Sequence, residues 1–385
     1  MVRPDTWVLE LRDMRLVRLA FLLGAAVLSA QATPQPLGLA GVQTPSTASA
    51  PPSRLGEGQG RQGGSPPAAP RPRREVLLIE RGRIVAALPA KALAAPRRPR
   101  KLLIFDGSAN HPSVPYADLA MQLMGEKTGA FTATISGDPS ALQADSLKQY
   151  DAVYLNNNVG TQVDVFGTPD LRQGFLDYVS NGGGVVASHG TSVASPNWKE
   201  FGELLGAAGA SHRESDEKAI VHVEDPSHPI TRAFGGKSFE LIDEFYRFQA
   251  PFSRERLRVL LTVDPASVNE QQGRCYGRCF RDDNDYAVAW IRQHGKGRVF
   301  YNALGHNPDL FWDPRMLEMF LAGTQYALGD LDADATPKPR DTPGRPGTGR
   351  YLDVRLGKWP RTGAPFRAEV VIVAATKEGA SAAEK

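Results

Sequence analysis

Gly182-Gly183-Gly184-Val185-Val186-Ala187-Ser188-His189-Gly190 is the stretch that decides how this chain is read. Three glycines feed a short apolar strand, and the strand ends in a histidine at a tight turn. Ligands of open α/β sheets gather where strands end at their carboxyl edge. Strand-to-helix turns at that edge are a usual place for an exposed nucleophile. The residue offered here is an imidazole, so the chemistry expected is proton transfer or metal ligation and not acyl transfer.

The elements on either side of this stretch alternate. Residues 101–105 (KLLIF) form a buried-type apolar run, and 116–128 have the spacing of an amphipathic helix stopped by Gly129. Short strands are expected at 131–135, 150–155 and 185–188, with helices at 171–180 and 198–205. This βαβαβ pattern predicts a mainly parallel sheet with helices on both faces. Beyond it the character changes, with strands expected at 218–223, 238–242 and 257–263 joined by irregular connections. Residues 286–293 and 298–302 flank His294-Gly-Lys-Gly297, a hairpin signal added to the sheet. A helix at 316–328 closes a domain spanning 101–329.

The flanks read differently. Arg12, Arg15 and Arg18 precede an apolar core of 12 residues at 19–30, followed by Ala30-Gln31-Ala32. That is the pattern of a secretory signal over residues 1–32, too short to span a bilayer. Residues 33–74 are rich in Pro, Gly, Ser, Ala and Gln, a composition unable to bury enough apolar surface to order itself. Residues 75–100 form an extension in which VLLIERGRIVAALPAKAL reads as a short hairpin, and 330–385 as a linker and tail holding one strand. The expected location is therefore secreted or periplasmic. Cys275 and Cys279 then read as a local disulfide, which an oxidising compartment permits.

The formal charge of +3, from 45 basic and 42 acidic residues, is near balance. Arg71, Arg73 and Arg74, then Arg97, Arg98, Arg100 and Lys101, cluster before the domain. Without interleaved aromatics they read as a solvated linker and not as a nucleic-acid surface.

Five stretches together resemble the ThuA-like (trehalose-utilisation-like) domains of the class I glutamine amidotransferase-like fold. They are residues 178–190 (YVSNGGGVVASHG), 211–214 (SHRE), 225–231 (DPSHPIT), 242–246 (IDEFY), and the run from Ala289-Trp290 through Gly295 to His306. The resemblance covers about 101–329. It implies a flavodoxin-like, doubly wound fold and an association with sugar metabolism. Amidotransferases of that superfamily place a cysteine at the turn where this chain has His189, and neither cysteine here falls at a strand end. Glutaminase chemistry is accordingly not expected.

His189, His212, Asp243, Glu244, Tyr246 and His306 all fall at predicted strand ends or just after them. Imidazoles with a carboxylate suit Zn²⁺ or a similar divalent ion, and His189, His212, Asp243 and His306 are the candidate ligands. Without metal, a histidine base with Glu244 as acid offers proton transfer, so His189, Glu244 and His306 are the candidate catalytic residues. His111, Asn156, Asn157, Trp198 and Tyr246 are the candidate substrate contacts, with Phe311 and Trp312 as further aromatic surfaces. His228, in Ser-His-Pro-Ile, reads as a structural turn residue. The expected partner is a small carbohydrate or keto-sugar, undergoing isomerisation, epimerisation or hydrolysis. The alternative is a carbohydrate-binding module without catalysis, resting on Trp198 and Tyr246.

Overall fold

The computed structural model describes residues 75–339, except 108–110, 160–163, 210, 249, 269–273, 280 and 282, together with the backbone of two strands at 351–355 and 369–373. The segment read as an export signal, the linker after it and most of the tail lie outside the described residues.

Nine strands form one mixed sheet. They are β1 (Lys101–Phe105), β2 (Thr132–Ser136), β3 (Ala152–Asn156), β4 (Gly184–Ser188), β5 (Glu217–Val223), β6 (Phe239–Asp243), β7 (Arg258–Val263), β8 (Ala287–His294) and β9 (Gly297–Asn302). Their order is β2-β1-β3-β4-β9-β8-β7-β5-β6. The first five in that order are parallel. From β9 onward every neighbour is antiparallel. The parallel expectation therefore holds for one half only. Parallel neighbours need a crossover, usually a helix, and none of the described residues between 217 and 302 is α-helical. The expected hairpin at 294–297 joins β8 to β9 in register, with His294 opposite Gly297.

The helices are α1 (Leu78–Ala87), α2 (Val114–Thr128), α3 (Ala144–Leu147), α4 (Pro169–Ser180), α5 (Lys199–Leu205) and α6 (Pro314–Ala327). Two of the longer helices start on a polar cap followed by proline. Thr168 accepts from the Leu171 N–H ahead of Pro169, and Asp313 accepts from the Arg315 N–H ahead of Pro314. Helix α2 ends on Gly129 at φ 68°, a left-handed cap that donates to the Gly125 carbonyl. Strands β3 and β4 are buried along their whole length, which requires cover on both sheet faces. Each apolar side chain removed from water there contributes about 1.5–3 kcal/mol.

The opening glycines have a packing reason. A Cβ on Gly184 would stand 2.3 Å from the Ala327 carbonyl oxygen, because the end of α6 lies directly against the start of β4. The glycine lets helix and strand close up.

Three readings of the flanks are corrected. Residues 78–87 form helix α1 instead of a hairpin arm: Gly82 takes no left-handed turn conformation, and Glu80 reaches back to the Leu77 N–H at 3.0 Å. Ile84 and Leu88 are buried against the domain. Arg100 is no solvated linker residue, since it binds Asp330 at 2.6 Å and Asp151 at 3.2 Å. The tail also holds two strands where one was read, β10 (Tyr351–Arg355) and β11 (Glu369–Val373), paired antiparallel. The sequence signals β11 and not β10, because Tyr-Leu-Asp-Val-Arg lacks the continuous apolar run of Val370 to Val373.

Candidate functional site

Strands β1, β4 and β9 are parallel, and counting the antiparallel steps from β9 shows that β6 points the same way. Their carboxyl ends share one edge. The loops leaving them carry His111, His189, His306 and the Asp243–Tyr246 segment, so four chain segments far apart in sequence meet there.

His189 opens a 3-10 turn, His189–Val193, with φ 42°, a left-handed conformation uncommon outside glycine. The turn is held from several sides. The Gly190 N–H donates to Asn157 Oδ1 at 2.9 Å, and a Cβ on Gly190 would come within 2.5 Å of Asn157 and Val159. Tyr301 donates its hydroxyl to the His189 carbonyl at 2.6 Å. On the ring, Nδ1 lies 2.8 Å from the Ala303 carbonyl, which can only accept. Nδ1 therefore carries a proton, so Nε2 holds the lone pair whenever the ring has one proton and becomes a second donor when the ring has two.

That nitrogen faces three partners. His306 Nδ1 is 3.2 Å away, the Tyr246 hydroxyl 3.2 Å and Glu244 Oε2 3.3 Å. His306 Nδ1 in turn lies 3.0 Å from His111 Nε2 and 3.3 Å from Glu244 Oε2. One ring nitrogen from each of His111, His189 and His306 falls within 4.8 Å of the others. His111 thus belongs to the converging set and is more than a substrate contact. Its position in the loop after β1 is the signal the sequence offers.

Each donor is oriented by a neighbour. His111 Nδ1 meets Ser113 Oγ at 2.9 Å, and Asn157 Nδ2 donates to that same oxygen at 3.4 Å. Glu244 Oε1 accepts from His212 Nδ1 at 2.9 Å, and the same N–H lies 2.7 Å from the Arg213 carbonyl. His212 reaches the cluster through Glu244 and adds no ring nitrogen to the converging three. Its other support is the loop closed by the Cys275–Cys279 disulfide: Tyr276 pairs with His212 backbone to backbone and stacks on its ring at 5.1 Å.

The electrostatics follow from this packing. Burial raises the Glu244 carboxyl, but hydrogen bonds with His189, His212 and His306 outweigh it and hold it well below the usual carboxylate range. Those hydrogen bonds favour the carboxylate form of Glu244. Burial lowers His111 to about 3, with the neighbouring His189 and His306 adding to the effect, so its ring is neutral. Burial also lowers His212, yet the Glu244 hydrogen bond and the Arg213 carbonyl leave it net raised.

Three other expected residues sit elsewhere. Asp243 is fully buried, and its two oxygens accept the N–H groups of Gly305 at 2.7 Å and Asn307 at 3.1 Å. It clamps the loop on both sides of His306 and does not join the ring nitrogens as a ligand. Asn156 is buried and donates to Asp118 at 2.8 Å and the Val114 carbonyl at 3.1 Å, tying β3 to α2 instead of facing a ligand. Trp198 stacks on Phe201 at 5.2 Å and touches Phe166, inside the core. Asn157 stays at the site as the support of Gly190 and Ser113. Tyr246, also buried, lies against the His189 ring at 4.5 Å. Phe311 is buried, and Trp312 packs against Tyr116.

The family model ThuA, described as trehalose utilisation, matches residues 101–327. No functionally curated protein matches. Among solved structures, a ThuA-like protein of Bacteroides uniformis is 23% identical with a TM-score of 0.47, covering 65% of this chain and 98% of its own. A ThuA-like protein of Parabacteroides merdae is 20% identical with a TM-score of 0.46, covering 64% and 95%. A cytoplasmic protein of Salmonella typhimurium is 16% identical with a TM-score of 0.43, covering 60% and 99%. The matched stretch runs from the first residue of β1 to the last of α6 and so encloses every strand that lends a residue to the site: the chain belongs to the ThuA family.

Proposed function

We propose that this ThuA-family protein acts on a small carbohydrate or keto-sugar at the three-histidine cluster, with a divalent ion such as Zn²⁺ held there. One observation carries the reading. Four atoms able to ligate a cation, His111 Nε2, His189 Nε2, His306 Nδ1 and Glu244 Oε2, gather with four of their mutual distances at 3.0–3.3 Å. Lone pairs brought that close repel unless protons or a cation lie between them. Ligands bonded at about 2.0–2.1 Å in tetrahedral geometry stand roughly 3.3–3.4 Å apart, close to these spacings. Neutral imidazoles plus one carboxylate are also the donor set such an ion favours.

The protein's own part is to hold those donors. The Ala303 carbonyl fixes the His189 tautomer, Ser113 orients His111, Asp243 braces the His306 loop, and His212 anchors Glu244. His189 is sealed from solvent, whereas His111 and His306 are partly exposed, so a sugar approaches from their side. A bound ion would polarise a carbonyl or activate a water, chemistry suited to isomerisation, epimerisation or hydrolysis. The binding-only alternative loses support, because Trp198 and Tyr246 are buried and present no open platform. Export is part of the proposal: it rests on the amino-terminal signal pattern and is supported by the Cys275–Cys279 bond.

Metal analysis and calorimetric Zn²⁺ titration of the purified chain test the reading. One equivalent of zinc, lost in His189→Ala and His306→Ala, is the expected result. A protein that binds no divalent ion, or binds it equally well in both variants, would sink it.

A further inference from the structure

Helix α1 has two apolar faces, and only one is used. At about 100° per residue, Ile84, Ala87 and Glu80 fall on the inner side. There Ile84 is buried and Glu80 accepts the Tyr116 hydroxyl at 2.7 Å. The opposite side carries Leu78, Ile79, Gly82, Val85 and Ala86, with Leu77 just before it. Leu77, Leu78, Ile79 and Val85 are 56%, 88%, 68% and 44% exposed. These are half of the large apolar side chains exposed anywhere among the described residues, gathered on one ten-residue helix and its N-cap.

Charge frames this stripe. Arg81 and Arg83 fall on its two flanks, one on each side, and both are exposed. Long basic side chains at the rim of an apolar face can keep their heads in a polar layer while the face sinks below it. Arg71, Arg73 and Arg74 precede the helix in sequence, so five arginines lie within thirteen residues around it. Two acids, Glu75 and Glu80, share that stretch, and Glu80 is turned inward to Tyr116. Among the described residues no helix is long and apolar enough to cross a membrane, and ten residues can only lie along one.

We propose that the outer face of α1 docks on an anionic lipid surface, with Leu77, Leu78, Ile79 and Val85 inserted and Arg81 and Arg83 at the headgroups. A protein partner would offer apolar surface but no reason for arginines on both flanks, whereas an anionic bilayer answers both features at once. None of His111, His189, His306 and Glu244 lies on this helix, so the inference stands apart from the proposed sugar chemistry.

Vesicle flotation with the full chain tests it, using phosphatidylglycerol–phosphatidylcholine vesicles and vesicles of phosphatidylcholine alone. Binding to the first and not the second is expected, weakening as salt rises. The Leu78→Glu/Ile79→Glu and Arg81→Glu/Arg83→Glu variants should each lower binding about tenfold or more. Leu78 and Ile79 are solvent-exposed, so unchanged thermal melting of the first variant confirms that folding is intact. Flotation that is absent in the wild-type chain, or undiminished in either variant, overturns the proposal. So does a dimer in sedimentation equilibrium that Leu78→Glu/Ile79→Glu dissolves without any vesicle binding, since the stripe would then seat a second copy.

Discussion

Asp243→Asn separates a residue that braces the site from one that merely sits near it. The Asp243 carboxylate accepts two backbone N–H groups, from Gly305 and Asn307, and so holds the peptide on each side of His306. The amide keeps one acceptor oxygen and turns its NH₂ toward the other backbone N–H, replacing a hydrogen bond with a donor–donor contact. One charge-assisted hydrogen bond, about 1.5–3 kcal/mol, is lost. Relief of a fully buried charge offsets part of this, because burial raises the Asp243 carboxyl against the pull of His189 and the backbone N–H groups. The net loss expected is about 1–2 kcal/mol, or roughly 2–8 °C in Tm for a domain of this size. His306 then moves relative to His111 and His189, and zinc affinity should fall about 10- to 100-fold, as when an orienting partner of a ligand is removed. Calorimetric zinc titration and thermal melting read the two effects separately. A variant that melts early but binds zinc as tightly as wild type refutes the bracing role and leaves Asp243 a structural residue only.

Further expectations rest on other parts of the molecule. Gly184→Ala drives a Cβ into the Ala327 carbonyl, so it should destabilise the chain by about 1–3 kcal/mol or more in urea unfolding. A midpoint equal to wild type would deny the close approach of α6 to β4. Removing the disulfide with Cys275→Ser/Cys279→Ser opens a loop of sequence separation 4 and should cost about 2 kcal/mol by loop entropy, seen as an earlier melt. His228 is buried, donates Nε2–H to the Asp334 carbonyl at 3.2 Å and accepts the Ile230 N–H at 3.3 Å. Burial lowers it below its ordinary value despite the Asp334 carbonyl and nearby Asp225. Its contribution is complete above about pH 6.5 and is lost as pH falls through the lowered folded value. Melts at about pH 7.5 and about pH 5 should therefore differ less in His228→Asn than in wild type.

The local pattern carried much of the fold. Glycines before an apolar run, Gly129 after a helical stripe and His294-Gly-Lys-Gly297 between strands are short-range signals, and each element appears within a few residues of its expected bounds. Helix α1 escaped because it is apolar on both sides, which erases the period that distinguishes a helix from a hairpin arm. The antiparallel half was legible only as irregular strands, since pairing direction depends on what connects them.

For the site, the sequence by itself determined which residue types stand at strand ends: His189, Glu244 and His306 were identifiable from position alone. It could not determine which side chains face one another. Asp243 and Glu244 are neighbours in sequence, yet alternation sends one carboxylate to the backbone around His306 and the other to the ring nitrogens. His111 and His306 are separated by 195 positions and meet at 3.0 Å only because β1 and β9 are parallel in one sheet. Residue type is written along the chain. Convergence is a property of strand order and of the carbonyls and carboxylates that aim each ring, and only the tertiary structure sets those.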